Sequence, residues 1–209
     1  MTRSTLAIPQ TISSSKRSGF TLTEILTVVT IVVILLGILI PSILSVQRKA
    51  KRVESEALFG KLITAFTLYR KDHGAYPDLS GSLKDGDVVI DLNNPDQWSR
   101  FAEIMALSNN DGSALENPEN KTLIKSFNPK LKRYFDLQLS ELEKVSGADR
   151  LVDAFGNPHI YVVVDANLDG KIGRSSLPGS EPKDLRQRIV VYTVDENDDD
   201  FLEMKSWDS

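Results

Sequence analysis

The sequence predicts an α+β fold: a long N-terminal α-helix, membrane-spanning in its first part and amphipathic in its second, packed on a small C-terminal antiparallel sheet with extra helices. Three observations carry this. Ile25 to Val46 is a run of 22 residues without a charge, long enough to cross a bilayer at about 1.5 Å per helical residue. Gln47 to Asp72 continues without proline and is rich in Ala, Leu, Lys, Arg and Glu, with Leu58, Leu62, Ala65, Phe66 and Tyr69 on one helical face. Two β-branched and aromatic runs, His159 to Val164 and Arg188 to Val194, then flank a turn-rich stretch and suit paired strands.

The elements follow in order. Residues 1–19 form a polar leader holding Arg3, Lys16 and Arg17 and no acid. Residues 20–46 are the expected transmembrane and assembly helix, and residues 47–77 its amphipathic continuation. Gly74 and Pro77 are the stop signals. A helix from Phe20 to about His73 would be roughly 80 Å long. Pro41 should kink or locally melt it, because proline removes one ladder bond and clashes with the preceding turn. Residues 78–150 read as a variable region of helices and loops. Within it, Pro95 to Leu107 has helical spacing of Trp98, Phe101, Ile104 and Met105 behind the turn signal Asn93-Asn94. Asn109 to Gly112 and Asn117 to Asn120 read as loops. Leu131 to Leu142 is compatible with helix or strand. Residues 151–209 read as a small β-sheet region with acidic loops, turning at Gly156-Asn157-Pro158.

The N-terminal segment carries the most specific chemistry. An ordinary secretory signal places its cleavage site after a short apolar region. Here Gly19 before Phe20, the candidate processing site, precedes the apolar run, so cutting there removes only the leader and keeps the helix. Glu24 stands at the mouth of that run, where an ionised carboxylate costs about 2.5–3.5 kcal/mol unless it finds a partner. Lys16-Arg17-Ser18-Gly19-Phe20-Thr21-Leu22-Thr23-Glu24 and the helix behind it resemble the N-terminus of the type IV pilin-like superfamily, most closely the major pseudopilins of type II secretion systems. Tyr69-Arg70-Lys71-Asp72-His73-Gly74-Ala75-Tyr76-Pro77 resembles the segment ending the long helix of those proteins. Asp153-Ala154-Phe155-Gly156-Asn157-Pro158-His159 resembles a further signature of theirs, with Ala154 and Phe155 as departures, and Ser206-Trp207 resembles their terminal pair. The likeness is close over the first 77 residues and moderate over 151–209.

The resemblance implies a pilin-like fold, cleavage between Gly19 and Phe20 by a prepilin peptidase, and N-methylation of Phe20. It also implies assembly through pairing of Glu24 with the Phe20 amine of a neighbouring subunit, two charges that neither chain could bury alone. The partners it implies are further copies in a homopolymer, other pseudopilins, the inner-membrane assembly platform, the prepilin peptidase and the membrane itself. The location it implies is a single-pass inner-membrane protein with a cytoplasmic N-terminus and periplasmic C-terminal domain, which joins the pseudopilus after assembly. The basic leader agrees with that orientation, while Arg48, Lys49, Lys51 and Arg52 argue weakly against it. A type IV pilus subunit or minor pseudopilin shares the same processing. An uncut bitopic anchor with an acidic ion-binding domain is the alternative of a different class.

Two acidic clusters are candidates for calcium. Asp195-Glu196-Asn197-Asp198-Asp199-Asp200 puts five acids within six residues, where major pseudopilins carry a calcium loop; Asp195, Asn197, Asp198, Asp199 and Asp200 are its candidate ligands. Asp165, Asn167 and Asp169, followed by Gly170, match the first half of an EF-hand loop, but Ser176 occupies the twelfth position where a bidentate Glu belongs. The competing interpretations are a solvated acidic surface and an Asx-rich turn. The chain has no cysteine and two histidines. It shows no phosphate-binding glycine loop and no nucleophile elbow, so no enzyme is expected. The whole chain carries −4, and without residues 1–19 it holds 22 basic and 29 acidic residues, or −7. Such a balance offers no basic stripe for nucleic acid.

Overall fold

A computed structural model describes residues 19–81, 86–177, 183–194 and 204–207, apart from the side chains at 38 and 40–42. Its internal contacts divide the chain into two compact units, 1–46 and 47–209. One helix, α1 (Leu22–His73), contributes to both.

In the first unit, α1 begins at a reciprocal cap. Thr21 N–H and Oγ1 donate to Glu24 Oε2 at 2.7 and 2.8 Å, and Glu24 N–H donates back to Thr21 Oγ1 at 3.3 Å. This is the capping-box pattern Thr-x-x-Glu, which satisfies otherwise orphan amides of the first turn. Beyond it the described apolar side chains are all exposed, from Ile25 at 51% to Val46 at 64%. The backbone remains helical through position 41, so the expected local melting does not occur; a helix of 52 residues survives the loss of one ladder bond. Among the described residues, which leave aside the side chains at 38 and 40–42, no helix is long and apolar enough to cross a membrane.

The second unit is built on the other half of α1. Leu58, Phe59, Leu62, Ala65, Phe66 and Tyr69 are all buried, as their helical spacing requires. The helix stops at Gly74, whose φ of +79° suits glycine and whose N–H donates to Arg70 O at 2.7 Å. Among the described residues five strands and two short α-helices follow: β1 (Asp87–Asp91), α2 (Pro95–Phe101), α3 (Thr122–Phe127), β2 (Leu142–Val145), β3 (Ala148–Leu151), β4 (Ile160–Asp165) and β5 (Ile189–Thr193). The main sheet is antiparallel in the order β1-β4-β5, with Asp87 opposite Asp165 and Ile160 opposite Thr193. β2 and β3 form a separate hairpin. The β4–β5 pairing follows the expected strands, whereas β1 and the hairpin add strands to a region expected to hold helices and loops.

Alternation within the strands divides the sheet's two faces. Val162, Val164, Ile189 and Val191 join Ile90 and the α1 stripe in the main core. Val163, Val190 and Tyr192 face the other way and are covered by Ile172 and Leu177 of the β4–β5 connection, with Leu185 and Trp207 packed against them. Ile172 and Leu185 hold that covering layer together by exchanging two backbone bonds of 2.9 Å. Both faces are thus filled, which explains why all of β5 is buried.

α2 starts at the expected turn. Asn94 Oδ1 accepts from the amides of Asp96 and Gln97, and Pro95 takes the first helical position. The helix then widens into a π turn, Ala102–Ala106, which ends at Leu107 in the left-handed region. The turn leaves Met105 O free to accept from both Tyr134 and Phe135 at 2.9 Å. Asn128 Nδ2 donates to Ile104 O and Lys132 O, so residues 131–138 are held as an irregular strap. That strap is neither the helix nor the strand its composition allowed. Phe101 is the centre of the resulting aromatic cluster, with ring centroids 6.1 Å from Phe66, 5.8 Å from Trp98 and 5.2 Å from Phe135.

Phe66 is fully buried between the helix and this cluster. Phe66→Ala should therefore destabilise the chain by about 3–5 kcal/mol, read as a lower denaturation midpoint with an unchanged slope.

Candidate functional site

Gly19 and Phe20 immediately precede the first helical turn and are exposed, Phe20 at 83%. A peptidase reaching the Gly19–Phe20 bond meets no described tertiary structure. Glu24 lies one turn further along, and its carboxylate is engaged by Thr21 of its own chain. The sequence analysis treats Glu24 only as a charge at the mouth of the apolar run; the Thr-x-x-Glu spacing is the signal that would have found its capping role. The cap gives Glu24 a role in the single chain: it closes the helix start and places negative charge at the positive end of the helix dipole.

The two calcium candidates fare differently. Residues 195–203 lie outside the described residues, and with them Asp195, Asn197, Asp198, Asp199 and Asp200. The other cluster is in place at the end of β4. Asp165 is fully buried; its Oδ1 accepts from Asp169 N–H at 3.1 Å and its Oδ2 from Gly170 N–H at 2.9 Å. Asn167 Oδ1 also accepts from Asp169 N–H, and Asp169 Oδ1 accepts from Lys171 N–H at 2.9 Å. These oxygens close an Asx-rich turn, with Gly170 at φ +83°. Among the described residues no group of three or more Asp, Glu, His or Cys side chains is arranged to hold a metal ion.

Asp87 was not singled out by sequence. The β1–β4 register sets it opposite Asp165, where its Oδ2 accepts from Gly173 N–H at 2.6 Å and from Ser176 Oγ at 3.5 Å. Ser176, which stands where an EF-hand would have Glu, thus supports Asp87. Burial pushes the Asp87 carboxyl above its ordinary range, and the charges of Asp165 and Asp169 add to this. The signal for Asp87 was long-range strand pairing, which local sequence does not contain.

The segments 69–77 and 153–159 act as clasps on the two ends of the buried half of α1. At its end, Tyr69 OH donates to Phe127 O at 2.6 Å, and Tyr134 OH donates to Asp72 Oδ2 at 3.1 Å. The same hydroxyl lies 3.0 Å from His73 Nε2, and Lys132 Nζ lies 2.6 Å from Asp72 Oδ2. Burial raises the Tyr134 hydroxyl pKa to about 12 and lowers that of His73. At the other end, Ala154 N–H donates to the buried Ser55 Oγ at 3.1 Å. Asp153 Oδ1 collects the amides of Phe155 and Asn157, each at 2.9 Å, while Asn157 Nδ2 reaches Val194 O at 3.1 Å. The loop therefore joins the helix to the far end of β5.

Asp153 is 3% exposed, and its Oδ2 has no hydrogen-bond partner. Burial raises its pKa above the ordinary value of 3.8. Over the interval between those two values the folded chain binds more protons than the unfolded chain, so this group lowers stability as pH rises. Asp153→Asn cannot ionise. Thermal melts should show wild type losing stability relative to the variant as pH rises from about 4 to 7, and a pH-independent difference would contradict the assignment.

Residues 14–40 match the prokaryotic N-terminal methylation motif. No curated protein and no solved structure matches the chain. The match covers Gly19, Phe20, the Thr21–Glu24 cap and most of the apolar run, so the chain carries a prepilin-type N-terminal signal joined, through α1, to an α+β unit.

Proposed function

We propose that this protein is a structural subunit of a type II secretion pseudopilus, of the major pseudopilin kind. The observation that carries the proposal is the methylation motif at 14–40 running directly into α1. A prepilin peptidase hydrolyses the Gly19–Phe20 amide, and the freed Phe20 amine then takes a methyl group from a sulfonium-type methyl donor, which leaves as the neutral thioether while the amine gives up a proton. Before assembly the uncharged run from Ile25 to Val46 lies in the inner membrane, where an α-helix satisfies its own backbone polar groups. The unit from Gln47 onward is periplasmic. During polymerisation the exposed apolar faces of α1 pack against those of neighbouring copies and of other pseudopilins, on the inner-membrane assembly platform. The growing filament then drives protein export.

Glu24 links the free and assembled states. In the single chain its carboxylate serves its own Thr21. In the polymer it turns to the Phe20 amine of a neighbour, exchanging a cap for a charge pair in surroundings where neither ion could remain alone. Calcium belongs to the same proposal, bound by the acidic run at Asp195, Asn197, Asp198, Asp199 and Asp200, since hard carboxylate oxygens close together suit an ion that takes 6–8 of them. The role is structural, with no catalytic step assigned.

Intact-mass measurement of membrane-extracted protein should give a chain starting at Phe20 with one added methyl; a chain retaining the leader would remove the proposal's support. Glu24→Gln keeps a capping-box residue but not the charge. It should leave that mass signature intact and lower polymer yield, and normal yield would refute the charge pairing. Ca²⁺ at a hundredfold excess over its dissociation constant should stabilise the full chain by about 2.7 kcal/mol, read as a higher melting temperature that chelator reverses. No shift would leave the acidic run as solvated surface.

A further inference from the structure

A cleft of about 450 Å³ opens where α2, the loop after the π turn, the start of α3 and β3 converge, and Ser99, Ser108, Asn109, Lys121 and Arg150 line it. Arg150 is 7% exposed, and an arginine is almost never buried so far without a carboxylate partner. Its neighbour Leu151 turns into the main core, so alternation along β3 sends Arg150 to the other face. There its Nε donates to Asn93 O at 3.3 Å and its Nη1 to Asp149 O at 2.9 Å. Both acceptors are neutral backbone carbonyls. Among the described residues the guanidinium forms no ion pair. Nη2 donates to no described group, yet it is not one of the fully enclosed orphan atoms, so its N–H groups open onto the cleft.

The acidic residues on the same walls are engaged elsewhere. Glu103 Oε1 lies 3.1 Å from Lys121 Nζ. Asp111 Oδ1 accepts from the N–H and the Oγ of Ser113 at 2.9 and 2.6 Å. Asp149 precedes Arg150 in β3 and so belongs to the opposite face of the strand. None of the three neutralises Arg150, but their charges still limit what can enter. Glu103, Asp111 and Asp149 together with Lys121 and Arg150 repel a dianion, whereas a single negative charge is matched by the guanidinium.

We propose that this cleft binds a monoanionic carboxylate, held by Arg150. The free N–H groups on Nη1 and Nη2 form a planar fork that fits two carboxylate oxygens. Binding there supplies the countercharge that a buried guanidinium otherwise lacks. The volume exceeds that of a carboxylate alone, and the hydroxyls of Ser99 and Ser108 offer hydrogen bonds to an adjoining polar group. An acidic side chain with its peptide backbone and a small free acid carry the same recognised group. The site lies wholly within the second unit and stands independently of the polymer-subunit function.

Calorimetric titration of the full chain in detergent tests the site. The probes are the acetylated and amidated tripeptide Gly-Glu-Gly, its neutral counterpart Gly-Gln-Gly, propionate and inorganic phosphate. Gly-Glu-Gly and propionate should bind, and Gly-Gln-Gly and phosphate should not. Tighter binding of the tripeptide than of propionate names a polypeptide as the source, and equal binding names a small free acid. Arg150→Lys keeps the charge without the fork and should weaken binding about tenfold, the loss expected for one charge-assisted hydrogen bond. Hydrogen exchange on the wild-type chain gives a readout that no variant can confound: Gly-Glu-Gly should slow the amides of 108–111 and 148–150. Equal binding of Gly-Gln-Gly and Gly-Glu-Gly, phosphate binding as tightly as propionate, undiminished binding by Arg150→Lys, or no added protection in either segment overturns the site.

Discussion

Burial of one stripe of α1 is the interaction on which the rest of the second unit depends. Leu58, Phe59, Leu62, Ala65, Phe66 and Tyr69 cover three turns of helix, and each is at most 6% exposed. Fully burying a large apolar side chain is worth about 1.5–3 kcal/mol, so this stripe outweighs any single polar contact nearby. The inner face of β1-β4-β5 and the Phe101 cluster both pack on it. The three-stranded sheet is apolar on both faces, and each face must be covered. It needs the helix on one face and the folded-back β4–β5 connection on the other.

Polar groups then fix where that stripe sits. Ser55 with the Asp153 loop holds one end, and Tyr69, Asp72 and His73 with Tyr134 and Lys132 hold the other. A hydrophobic stripe alone tolerates sliding, because burial is non-directional. Hydrogen bonds at both ends are directional and set the register. Asp153 accepts an unpartnered buried oxygen in return for ordering a loop that touches both helix and sheet, a compromise consistent with holding geometry at some cost in stability.

The same separation of labour extends to the N-terminal unit. Its described side chains from Ile25 to Val46 have no intrachain core, and an exposed apolar surface of this extent calls for lipid or protein around it. Glu24 stands between the two conditions. Under the proposed function, a carboxylate that already caps its own helix would exchange that partner for an amine without being stripped bare in between.

Local pattern alone was enough for the long helix, its amphipathic stripe, the glycine stop, the turn before α2, the strand runs that form β4 and β5, and the methylation motif. Each depends on spacing within a few residues and on the chemistry of a turn or cap. Tertiary structure decided what depends on distant partners: β1 as a strand, the hairpin β2–β3, the irregular strap at 131–138 and the place of Asp87 beside Asp165. The strap illustrates the reason. Leu131 to Leu142 has no dominant period, so its backbone conformation was settled by Met105 O and Asn128, which offer bonds that neither a helix nor a strand would have used. Where local preference is weak, the geometry of an already packed core selects the conformation, and a sequence read residue by residue does not contain that core.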